Sequence, residues 1–167
     1  DGMVSASKDL LKILHAKKDL YVQGYFEYDS KKSGGVTISH LRYGRDKINE
    51  PYYVTHPEIT VVTKDIYFRM FDIIDTLKEN GTLLINTIKN ESDLLRLLPT
   101  KVKNCIYKKN IKVYYIDAEN IASKNNLKGK ISKIMEVLIL NLLNVEDATS
   151  MLEDSIKKSF VTKGEDV

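Results

Sequence analysis

Two short stretches of the chain carry residues that can hold an anion. "DGMVSASK", residues 1–8, leads small residues and two serines into a helix and ends on a lysine. Free backbone N–H groups at a helix start, with Ser5, Ser7 and the Lys8 ammonium beside them, suit a phosphate. The same residues suit a capped surface helix, because Ser5 or Ser7 makes a good N-cap. "SKKSGG", residues 30–35, gathers Lys31, Lys32 and Ser33 ahead of two glycines. That composition wraps an oxyanion or makes an ordinary loop, and spacing alone leaves both readings open.

Other chemistry finds less support. His15, His40 and His56 lie far apart with no HxH or HxxxH spacing, so no metal site is expected. Cys105 is the one cysteine, which rules out an internal disulfide or a CxxC motif and suits a reducing compartment. There is no nucleophile elbow, Walker loop or complete GxGxxG, and Asp29 and Asp117 have no acid–base mate. No catalytic residue is assigned. His40 and Arg42 alternate onto one face of a predicted strand. His40 reads either as a half-buried residue bonded to a neighbour or as a ligand or interdomain contact.

These residues must be positioned by a chain of 167 residues, which fits one domain, 1–167, with a real core. Its 43% apolar and 29% charged content is that of a globular protein, and a net charge of +3 does not by itself imply nucleic acid. Residues 101–133 hold nine lysines against Asp117 and Glu119. This patch can meet an acidic partner, though a solvated basic face is the simpler reading. The longest apolar run, "VLIL" at 137–140, is far short of a membrane span, and no signal pattern opens the chain. A cytoplasmic protein without membrane or nucleic-acid partners is expected.

Apolar periodicity predicts a helix from about Ser5 to Ala16, a strand in "DLYVQGYFEYD" and a second strand in "VTISHLRYG". Gly24 inside the first strand signals a close backbone approach or a bulge. "EITVVT" reads as a buried parallel strand, followed by a helix over 65–79 with Ile66, Met70, Ile73, Ile74 and Leu77 inward and Asn80-Gly81 closing it. Then come the strand "TLLINT", a short helix capped by Asn90 and ended by Pro99, and the strand "IKVYYIDA" with Asp117 capping the next helix. A helix over 131–144 is apolar on nearly every face. A last one, about 145–160, begins with Glu146 and Asp147 and ends with Lys157 and Lys158. The alternation predicts an α/β fold, three layers α/β/α around a mostly parallel sheet.

Read in order, "DGMVSASK", "DLYVQGYFEYDSKKSGGVTISHLRYG", "GTLLIN", "IKVYYIDAENIA" and "EDATSMLEDSIKKSF" resemble the gamma domain (domain III) of pyruvate:ferredoxin (flavodoxin) oxidoreductases over nearly the whole chain. The resemblance implies a non-catalytic component of an enzyme that oxidatively decarboxylates a 2-oxoacid and passes electrons to ferredoxin or flavodoxin. Thiamine diphosphate and the iron–sulfur clusters belong to the other domains, against which this one packs. It also implies a part in taking up coenzyme A, with Ser5, Ser7, Lys8, Lys31, Lys32 and Ser33 as contacts and His40 and Arg42 orienting the interdomain face. Where the family motif reads G-x-D-G-T-V-G-A-N-K, this chain has Met3, Ser5 and Ser7. Those substitutions motivate a second reading, a degenerate scaffold in another multidomain oxidoreductase such as a sulfite reductase. In relatives a strand and glycine-rich turn precede the motif, so the resemblance implies a fragment of a longer multidomain chain and a sheet short of its first strand.

Overall fold

The structure, a computed structural model, describes residues 3–29, 35–127, 129–145 and 147–161. They form two compact units, one of residues 1–53 with 130–167 and one of residues 54–129.

The first unit opens with helix α1 (Met3–His15), whose Ala6, Leu10, Ile13 and Leu14 are buried at the predicted spacing. Strands β1 (Tyr21–Tyr28) and β2 (Thr37–Gly44) pair antiparallel from Tyr21↔Gly44 to Tyr28↔Thr37. They form a two-stranded sheet of their own. Helix α1 packs on this hairpin: a Cβ on Gly24 would collide with the Leu11 side chain, so the glycine is a close approach and not a bulge. Helices α6 (Ser132–Leu142) and α7 (Ala148–Val161) complete the unit, α1 touching both. Asp147, before α7, takes a left-handed φ of 61°, while Glu146 lies outside the described residues.

Helix α6 buries Met135, Ile139 and Leu140, but Val137 is 37% exposed and the fourth buried residue is Glu136. Lys133 Nζ holds Glu136 Oε2 at 2.9 Å and Asp9 Oδ2 at 3.0 Å, while Glu136 Oε1 has no partner. Burial pushes the Glu136 carboxyl above its ordinary value, more than Lys133 draws it down. Lys133 is also disfavoured by burial, but its two carboxylate partners outweigh this and raise it.

The second unit is built on a parallel sheet in the order β3 (Ile59–Val62), β4 (Thr82–Asn86), β5 (Lys112–Ile116). The α/β class and the parallel sheet thus stand as expected, with the antiparallel hairpin as a separate sheet. The core gathers Val62, Phe68, Ile74, Leu77, Leu83, Ile85, Leu94, Leu98, Val102 and Ile111. Asn86, at the end of β4 and 3% exposed, fastens the sheet to two neighbouring segments. Its amide donates to Thr63 O and to both carboxylate oxygens of Glu119, and its Oδ1 accepts from Ala118 N at 3.0 Å. Helix α5 (Ala118–Lys124) starts there, capped by Asp117 as expected.

The helix expected over 65–79 is corrected. Only one turn forms, α2 (Tyr67–Met70), and Phe71 is already extended at φ −136°, ψ 151°. Ile66 and Met70 are 44% and 56% exposed, whereas Ile74 and Leu77 are buried. Aromatic and β-branched residues crowd this stretch and weaken its helix propensity. Its carbonyls find other donors: Lys109 Nζ binds Asp75 O and Leu77 O. Lys109 comes directly after α4 (Thr100–Lys108), a helix that the lysine-rich sequence concealed. Pro99 ends α3 (Glu91–Leu97), capped by Asn90 as expected, and begins α4. Asn80 takes the left-handed conformation before β4 (φ 58°), and a side chain on Gly81 would meet Lys78 O at 2.8 Å. Among the described residues no helix is long and apolar enough to cross a membrane.

Both buried polar groups can be tested by substitution. Asn86→Ala leaves Ala118 N and the Glu119 carboxylate short of a partner and is expected to cost about 2 kcal/mol in urea unfolding; a change within about 0.5 kcal/mol contradicts the latch. For Glu136 the folded value lies above the ordinary 4.5, so its contribution to stability is full below that pH and is lost as pH rises through the folded value. Glu136→Gln, uncharged throughout and leaving Lys133 on Asp9, should gain stability relative to the parent between pH 4.5 and neutrality. Parallel unfolding curves across that range contradict the assignment.

Candidate functional site

The candidate site lies in the first unit. Lys8 Nζ sits 5.6 Å from the centre of the Phe26 ring, and Leu11 lies over Gly24. Moving toward the start of α1 therefore moves along β1 toward Tyr28, so the first turn of α1 points to the loop end of the hairpin. Asp29 N donates to Val36 O at 3.1 Å and closes the base of that loop. Lys31, Lys32 and Ser33 lie outside the described residues. Ser5 and Lys8, three apart on α1, are exposed on a shared face, whereas Ser7 is 5% exposed and turned inward. Among the described residues no carboxylate stands in the first turn of α1.

One face of the hairpin carries Gln23 opposite Arg42 and Tyr25 opposite His40. The segment 50–53 is tied to this face. Arg42 donates to Tyr52 O at 2.6 Å, Tyr53 O at 2.9 Å and Gln23 Oε1 at 2.8 Å, and Gln23 Nε2 donates to Glu50 O at 2.8 Å. The guanidinium also stands 5.0 Å from the Tyr52 ring centre. His40 stacks on Tyr53 at 4.6 Å and 11°, with Tyr25 edge-on to Tyr53 at 6.1 Å. The buried His40 Nε2 is 3.6 Å from Glu27 Oε2, too long for a hydrogen bond.

In the second unit, polar groups meet at the carboxyl ends of the parallel strands, where open α/β sheets bind ligands. Thr87 Oγ1 donates to Asp65 Oδ2 at 2.8 Å, and Lys89 Nζ meets the same oxygen at 2.9 Å. Burial works against the Asp65 carboxylate, yet the hydrogen bonds from Lys89 and Thr87 outweigh it and hold the carboxyl below its ordinary value. Sequence reasoning missed this cluster because its members are spread from Asp65 to Glu119. Capping sites such as Asp117 were its only local trace. Some of the nine lysines of the basic stretch are used within the units: Lys101 binds Asp72 and Asp75, Lys109 caps carbonyls, and Lys133 bridges Asp9 and Glu136.

Arg42→Lys cannot serve both carbonyls and Gln23 with one ammonium. Loss of about 1.5 kcal/mol of charge-assisted bonding should speed chymotryptic cleavage after Tyr52 and Tyr53 on the order of tenfold. Unchanged cleavage contradicts the clamp.

The sequence and fold have known relatives. The family model described as pyruvate ferredoxin/flavodoxin oxidoreductase matches residues 1–167. The chain is 36% identical to pyruvate-flavodoxin oxidoreductase of Klebsiella pneumoniae, over 98% of this chain and 14% of that protein. It is 36% identical to pyruvate:ferredoxin oxidoreductase of Moorella thermoacetica, over 100% of this chain and 14% of that protein. It is 37% identical to a pyruvate dehydrogenase [NADP(+)] of Cryptosporidium parvum, over 100% of this chain and 9% of that protein. The fold is similar to the pyruvate oxidoreductase subunit PORC of Thermotoga maritima, with a TM-score of 0.71 and 24% identity over 95% of this chain and 79% of that one. With a family model running its full length, this chain belongs to the pyruvate ferredoxin/flavodoxin oxidoreductase family, of whose curated relatives it spans a small part.

Proposed function

We propose that residues 1–167 act, the two units together, as the gamma-type domain of a multidomain oxidoreductase that decarboxylates a 2-oxoacid oxidatively with coenzyme A. The domain performs no bond-making itself. It packs on the domains that carry thiamine diphosphate and the iron–sulfur clusters, and the whole enzyme hands electrons to ferredoxin or flavodoxin in the cytoplasm. The family match over the full chain supports this reading above that of a scaffold borrowed by a different oxidoreductase.

The observation that carries the coenzyme A part is the common direction of the α1 first turn and the hairpin loop, set by Lys8 on Phe26 and Leu11 on Gly24. The described residues fit a phosphate there: an exposed serine and lysine share one face at a helix start. Ser5 and Lys8, with Lys31, Lys32 and Ser33 from the loop, would hold the phosphates, while Ser7 supports the turn from its inner side. Coenzyme A, when bound, supplies the thiol that accepts the acyl group. Met3, Ser5 and Ser7 differ from the family motif, and Lys8 still offers its charge beside them. His40 and Arg42 orient the interdomain face by fixing segment 50–53 on the hairpin.

In the full-length enzyme, the Lys8→Ala, Lys31→Ala double variant should raise the KM for coenzyme A on the order of tenfold or more and leave the KM for pyruvate unchanged. A parental KM for coenzyme A contradicts the assignment.

A further inference from the structure

In the second unit, α3, α4 and β5 enclose an apolar groove of about 360 Å³ whose lining includes Leu95, Leu98, Ile106, Tyr107, Val113 and Tyr115. Its rim is unusually bare: Tyr107 is 88% exposed, Leu95 51%, Tyr115 46% and Val113 37%. Beside it β5 is the end strand of the parallel sheet, and among the described residues no strand pairs with its outer edge. Lys112, Val113, Tyr114 and Tyr115 are all exposed. An edge strand of tyrosines and valine next to an apolar groove is a template for association, and isolated proteins protect such edges.

Resting on the reading that this chain works inside a longer polypeptide, we propose that this groove and the β5 edge form the docking surface for a neighbouring domain of the same polypeptide. The occupant places a large aliphatic or aromatic side chain between Leu95, Tyr107 and Tyr115. It lays an extended segment along β5 and presents carboxylates to Lys103 and Lys112. The amount of chain outside this one favours that occupant: the matched region is 14% of the Klebsiella and Moorella proteins, so most of such a polypeptide is available to cover it. Charge shapes the fit: Glu91 and Lys103 both line the groove and Lys112 opens the edge strand, so the occupant's carboxylates meet Lys103 and Lys112 and stand clear of Glu91.

The test is hydroxyl-radical labelling of the full-length enzyme, read by mass spectrometry at Leu95, Tyr107 and Tyr115. Docking is expected to slow labelling at all three at least about fivefold against short peptides of the same sequence, at every enzyme concentration. In the Leu95→Asp, Tyr107→Asp double variant, whose changes sit at exposed positions, the protection of the remaining reporter, Tyr115, should be lost. Peptide-like labelling in the parent enzyme overturns the proposal. Protection that disappears on dilution also overturns it, because the occupant is then a second copy, and protection that survives the double variant removes the groove from the contact. Coenzyme A-dependent pyruvate oxidation, measured on the same parent sample, separates the two readings. Its absence counts against the gamma-domain function whatever the labelling shows, and its presence with unprotected residues defeats the docking surface alone.

Discussion

Gly24 has no side chain, and the Leu11 side chain occupies the space that a Cβ would need. This close approach sets α1 against the hairpin at one position along both elements. Lys8 falls on the Phe26 ring as a consequence, and the first turn of α1 lies at the loop end of the strands. A larger residue at 24 would lift the helix and separate the basic turn from the loop beyond Tyr28. The other face of the hairpin is then free for Gln23, Arg42, Tyr25 and His40, which hold segment 50–53. Functional placement in this unit thus rests on packing around a missing side chain more than on any polar contact.

The second unit solves its positioning differently. Its central strand β4 is buried along most of its length, and Asn86 at its end joins three segments through one amide. Lysines take the place of helix in residues 71–79, where Lys101 neutralises Asp72 and Asp75 and Lys109 satisfies two carbonyls. Beside β5, by contrast, apolar side chains of the groove are left to solvent, which is why that face reads as a contact surface.

Much of the fold was legible because local signals were strong. The α1 periodicity, the two hairpin strands, the caps at Asn90 and Asp117 and the glycine at 24 all act over a few residues, and each appears where expected. Residues 65–79 were misread because their apolar spacing suits a helix while the deciding contacts come from lysines about thirty residues away. Helix α4 was hidden by those same lysines, which read as a charged patch although Val102, Cys105 and Ile106 sit at helical spacing. Glu136 is buried in an otherwise apolar stretch of α6, where it pairs with Lys133, itself tied to Asp9. Of the site, the small and basic residues that open α1 and the shared strand face of His40 and Arg42 were readable. The inward turn of Ser7 and the clamp on segment 50–53 depend on tertiary packing.

A grip on coenzyme A through its phosphates is the central claim made for this domain. Calorimetric titration of the full-length enzyme with coenzyme A, dephospho-coenzyme A and pantetheine, at low and moderate salt, tests it most directly. Affinity should fall in that order, by on the order of tenfold or more from the first ligand to the last, and the difference should shrink as salt screens the lysines. Pantetheine binding as tightly as coenzyme A at both salt levels would contradict it.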